Sequence, residues 1–125
     1  MVTAVYERFP VDAPPEAVVA ELRAELRERG IKEYTVVDHG RDMTDAGQPA
    51  YPAWTLIFGN PAAGATLLAH DLAAAVDIPL RLAVIGRDGA CEIVLRNMRT
   101  LIDVDIADGF TNVLRDLAEA ARDRL

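Results

Sequence analysis

Apolar and polar residues alternate from Val2 to Phe9, with Val2, Ala4 and Tyr6 on one side and Val5, Glu7 and Phe9 on the other, the period-two signature of a strand. The period then lengthens. Behind Asp12 and the Pro14-Pro15 pair, Val18, Leu22 and Leu26 recur at four-residue spacing, while Glu21, Arg23, Glu25, Arg27 and Glu28 fill the opposite face. That pattern predicts an amphipathic helix, begun by proline and stopped by Gly30. Lys32 to Val37 reads as a second short strand ending in Asp38-His39-Gly40. Gly47, Pro49 and Pro52 punctuate the long connection that follows, with a helical turn near Met43.

Trp54 to Phe58 is nearly continuous apolar sequence, too short for a helix and rich in aromatic and β-branched types. It predicts a central strand covered on both faces. Asn60-Pro61 then signals a helix to about Ala69, and Leu72 to Val76 either extends it or makes a second turn. Leu80 to Arg87 and Ala90 to Arg96 alternate about Asp88-Gly89, the pattern of a tight hairpin, with Leu82, Val84, Cys91, Ile93 and Leu95 toward the core. From Asp108, a good cap, Phe110, Val113, Leu114, Leu117 and Ala121 mark a last amphipathic helix. The expected fold is α+β with a β-α-β4-α order: an antiparallel sheet, two main helices packed on one face, and a short helix after the Phe58-Gly59-Asn60-Pro61 strand end.

Composition narrows the partners. A chain of 125 residues, 51% of them apolar, buries one core without staples, so a single domain over 1–125 is expected. Thirteen basic residues against 20 acidic ones leave a net charge of -7, which repels both a nucleic-acid backbone and an anionic membrane surface. The basic strip of Arg81, Arg87, Arg96 and Arg99 reads as the solvated face of a hairpin or as a site for a small anion. Cys91 is the only cysteine, so there is no internal disulfide and no paired zinc spacing. The first residues reach Glu7 and Arg8 before any apolar run long enough for a signal peptide or membrane span, so a cytoplasmic location is expected. Serine is absent, which excludes a serine nucleophile, and no glycine-rich loop has phosphate-cradle spacing.

With the elements in place, Tyr34 to Ile93 resembles the domain-of-unknown-function family 302. The resemblance rests on Asp38-His39, Phe58-Gly59-Asn60-Pro61, Leu67-Leu68, Asp77-Ile78-Pro79-Leu80 and Asp88-Gly89, in that order. It implies a fold similar to half of the TATA-binding-protein architecture, and a homodimer. Asn97-Met98-Arg99-Thr100 departs from the family in lacking a proline-containing turn. The resemblance supplies no settled activity to carry over and names no cofactor.

Five residues are the candidate ligand contacts. Asp38 and His39 lie at a strand end, where an imidazole beside a carboxylate can serve as general acid/base or metal ligand, or can simply bond to the backbone. Gly59 and Asn60 open a helix whose free N–H groups can hold an anion, with Gly64 leaving room for its approach. In the other reading Asn60 is only the cap and Gly59 supplies a backbone angle. Cys91, alternating with Glu92, reads as a buried small hydrophobe. His39, His70, Met43 and Met98 are the imidazole and thioether candidates for haem or a metal, and none has a motif's spacing. The expectation is a homodimer binding a small molecule between the Asp38-His39 strand end, the Asn60 helix start and the partner subunit. The alternatives are an enzyme using His39, a haem- or metal-binding protein, and a protein-interaction module.

Overall fold

The computed structural model describes residues 5–100 and 106–125, the side chain of residue 106 excepted. In chain order the elements are β1 (Tyr6–Val11), α1 (Pro15–Glu28), β2 (Lys32–Asp38), α2 (His39–Asp45), β3 (Ala53–Gly59) and α3 (Pro61–His70). A 3-10 turn at Leu72–Asp77, β4 (Leu80–Arg87), β5 (Ala90–Arg96), a second 3-10 turn at Met98–Thr100 and α4 (Ile106–Asp123) complete it. This is the expected α+β order, with α2 and α3 as short helices set between strands. Of the opening strand expected over Val2 to Phe9, residues 2–4 lie outside the described residues, and the described strand runs Tyr6–Val11.

The five strands form one antiparallel sheet in the order β1-β5-β4-β3-β2. Helix α1 packs on α4, β2 and β4, and α4 packs on β1, β4 and β5, so both main helices cover the same face. Alternation puts Leu56, Phe58, Leu82, Val84, Cys91, Ile93 and Leu95 under those helices, all buried. The turn that sets the β4–β5 register has positive φ at both central residues, 40° at Asp88 and 84° at Gly89. Such a primed turn matches the right-handed strand twist, which is why an Asp-Gly pair marks it.

Two expectations change in three dimensions. The Trp54–Phe58 run is an interior strand but not the central one, which is β4. Its Leu56 and Phe58 are sealed, whereas Thr55 and Ile57 on the other face are only half-covered, because no main helix lies there. Glu25, placed by spacing on the polar face of α1, is 3% exposed. It faces α4: its Oε1 lies 3.0 Å from Arg124 Nε, an ion pair without the alignment of a hydrogen bond, and its Oε2 accepts from Arg29 at 3.2 Å.

Candidate functional site

Where β3 ends and α3 begins, the chain surrounds a hollow of about 390 Å³. Its lining comes from five places: the β2 edge, with Ile31 and Tyr34; the end of β3, with Phe58 and Gly59; the α3 start, with Asn60, Gly64 and Leu68 among its residues; the turn into β4, with Ile78 and Pro79; and α4, with Phe110 and Val113. Phe58 is sealed in the core at 1% exposure, whereas Tyr34 and Val113 stand partly in solvent.

The α3 start is chemically closed. Asn60 Oδ1 accepts from the N–H of Ala62 at 3.0 Å and of Ala63 at 3.4 Å, while the N–H of Gly64 donates to the Asn60 carbonyl at 2.9 Å. Pro61 has no N–H to offer, so every donor of the first turn is spent inside the chain. The capping reading of Asn60 thus describes this geometry, and the free N–H groups expected to hold an anion are absent from it. Gly59 is not at positive φ; a Cβ there would sit 3.5 Å from the Tyr34 ring and 3.7 Å from Pro79, in ordinary contact. Gly64 likewise faces Ile78 Cδ1 at 3.6 Å from where its Cβ would stand.

Asp38 and His39 are elsewhere. Asp38 pairs with Trp54 and Lys32 pairs with Gly59, so the Asp38-His39 corner and the Asn60 helix start occupy opposite ends of the β2–β3 ladder. At about 3.3 Å per strand residue they are roughly 20 Å apart. The common hollow expected for the two is therefore corrected: an antiparallel pair puts the exit of one strand beside the entrance of the next, not beside its exit. Asp38 caps the seven-residue α2 by accepting from the N–H of Arg41 at 3.0 Å, and His39 Nε2 lies 2.7 Å from Thr55 Oγ1 on the sheet face away from α1 and α4. Gly59, Asn60 and Gly64 line the hollow; Asp38 and His39 do not.

The other candidates resolve into structure. Cys91 is 4% exposed, and burial first, then Glu16 and Glu92, pushes its thiol pKa up. Arg87 pairs with Glu92 at 3.1 Å and Arg99 with Asp108 at 2.7 Å, while the Arg96 guanidinium stands 5.3 Å from the centre of the Tyr6 ring. Among the described residues no three His, Cys, Asp or Glu side chains group as a metal site. Met98 is buried at 4%, where it serves as core.

Sequence reasoning missed Tyr34, Ile78, Phe110 and Val113 as parts of the hollow. Tyr34 sits at a register shift between Glu33 and Thr35, and such a bulge re-aims a side chain in a way that no alternation pattern announces. Val113, expected in the core, is 38% exposed because its turn of α4 overhangs the hollow rather than the sheet.

A crystal structure of an uncharacterized conserved protein DUF302 from Bacillus stearothermophilus superposes with a TM-score of 0.89. The match covers 96% of this chain and 100% of that one at 17% identity, a likeness of fold alone. The fluoride-specific ion channels FluC 1 of Brucella suis and FluC 1 of Brucella abortus are each 31% identical over 77 residues, 62% of this chain. The matched stretch is 30% of the first channel and 28% of the second, so this chain spans less than a third of their length. Among the described residues no helix is long and apolar enough to cross a membrane. The profile of the family described as "Domain of unknown function DUF302" matches residues 7–125, and with the Asp38-His39 corner, the capped Asn60-Pro61 helix start and the Asp88-Gly89 hairpin all in order, the chain belongs to the DUF302 family.

Proposed function

We propose that this domain binds a small molecule in the hollow at the start of α3, and that it does so as a homodimer. The hollow itself carries the reading. At about 390 Å³ it falls within the range of small-ligand sites, and it has their usual make-up: mostly apolar walls with a few residues that carry polar groups, here Asn60 and Tyr34. Native mass spectrometry of the purified protein should show an adduct that leaves on activation and is missing from a Gly64→Leu variant. A bare chain that also gains no thermal stability from any member of a small-molecule library would contradict the proposal.

The dimer rests on the sheet face opposite α1 and α4. Ile57, Ala83 and Ile85 form an apolar middle there, bordered by Arg8, Arg81 and Glu92, the arrangement of an interface core with a polar rim. Light scattering should give twice the chain mass for the native sequence and the single-chain mass for Ala83→Arg. A native monomer at micromolar concentration would remove this part.

A second reading comes from the channels. We infer that the domain works beside a membrane ion transporter, since proteins named as fluoride channels share a stretch with a chain whose described residues hold no spanning helix. The Brucella suis channel, trimmed of that stretch and held in nanodiscs, should then bind this domain added in solution. No binding at high micromolar concentration would end this reading.

A further inference from the structure

The hollow has chemistry enough to say which molecules it takes, and this inference rests on the ligand-binding reading above. We propose that its ligand is an uncharged, mostly apolar molecule carrying one hydrogen-bond-accepting oxygen, held by the Asn60 side-chain amide and the Tyr34 hydroxyl.

The exclusion of charge comes first. Among the described residues, no Asp, Glu, Lys, Arg or His lines the hollow. The one feature that would otherwise hold an anion, the α3 N-terminus, has its donors occupied by Asn60 Oδ1 and the Asn60 carbonyl. A carboxylate or phosphate entering here would lose its water with no cationic residue in the described lining to replace it, since the Lys32 ammonium stands over the Tyr34 ring, 5.0 Å from its centre, and is not a lining residue. A cation would find no carboxylate and only the partial attraction of the rings.

Next comes the polar tip. Because Oδ1 is fixed as the cap acceptor, the Asn60 amide is oriented, and its Nδ2 makes no hydrogen bond to any described residue. A donor held that way selects an acceptor: a carbonyl, an ether or a hydroxyl oxygen. The Tyr34 hydroxyl is a second group without a hydrogen bond among the described residues, on a ring kept at the wall by the β2 bulge and by contact with Gly59. Phe110 adds aromatic surface beside the Tyr34 ring, with Phe58 sealed behind, so a flat ring system fits the body of the site.

Size argues for a small molecule rather than a protein segment. A stable protein interface needs about 800 Å² from each partner. A recess of about 390 Å³ lined by five stretches of chain matches a ligand instead.

The test uses the purified full chain with a matched pair, 2-acetylnaphthalene and 2-naphthoate, which share a ring body and differ in the neutral ketone against the carboxylate. Both are titrated in competition with prodan, a neutral naphthyl ketone whose emission shifts to the blue in an apolar site. The ketone should bind at least tenfold tighter than the carboxylate. Asn60→Asp keeps a capping oxygen but removes the amide donor, and should weaken the ketone several-fold; Tyr34→Phe should weaken it less. Gly64→Leu, whose side chain grows from the lining toward Ile78, should abolish binding. A carboxylate that binds as tightly as the ketone, or ketone affinity unchanged in a folded Asn60→Asp, overturns the assignment of ligand class while the site stands. No blue shift and no competition from either compound overturns the class and the binding reading together.

Discussion

Single residues in this domain do two kinds of work that look alike in a sequence. Thr111 is buried on α4, where its Oγ1 accepts from the N–H of Met98 at 3.0 Å and donates to the carbonyl of Ala107 at 3.1 Å. Thr111→Val keeps the shape but strands the Met98 N–H, and should cost about 1–3 kcal/mol in urea unfolding. Thr111→Ser should restore most of that; equal loss in both would show that packing rather than the hydrogen bond matters. Cys91 holds its proton more tightly folded than unfolded, because burial opposes the thiolate. Stability from this group is therefore full below its ordinary value of 9.0 and declines as pH rises above it. The native thiol should resist a thiolate-specific reagent at pH 8 and react at once in denaturant. Rapid labelling of the native chain would contradict the burial argument. His39 is the opposite case: a residue type that invites a catalytic reading, tied here to Thr55 at the far end of the sheet from the hollow.

At the scale of elements, what could be read from the sequence was what neighbours in the chain decide. Asp88-Gly89 fixes its own turn, Asn60-Pro61 its own helix start, and the alternation from Leu80 to Arg96 its own buried face. What could not be read depends on partners distant in sequence. Glu25 belongs to a polar stripe by spacing, yet α4 comes to rest on that stripe and brings Arg124 within reach of Glu21, Glu25 and Glu28. Hydrogen bonding to Arg124 holds the Glu28 carboxyl below its usual range, so the pair stabilises above that range and is lost as pH falls. Arg124→Ala should lower the unfolding midpoint at pH 7, since it leaves Glu25 buried with Arg29 alone, and should matter less at pH 3. A variant as stable as the native chain at pH 7 would mean that the α1–α4 contact is held by Leu22, Leu26, Leu114, Leu117 and their neighbours without help from charge.

For the whole molecule, the order of elements was legible but the meeting of distant ends was not. Polar residues at two strand ends suggested one site. The register places those ends at opposite margins of the sheet, and the cavity assembled from β2, β3, α3, the turn before β4 and α4 lies at the Asn60 margin. Tyr34, Ile78 and Val113 reach that cavity by a bulge, a loop and an overhang, none of which leaves a periodic trace. The account thus stands on one location. Amide and methyl NMR shifts of the native chain, followed during addition of 2-acetylnaphthalene, test it most directly. Saturable changes should gather at Gly59, Gly64, Leu68, Ile78 and Val113 and leave His39 and Thr55 unmoved. Changes centred on His39 and Thr55 instead, or no saturable change anywhere, would contradict it.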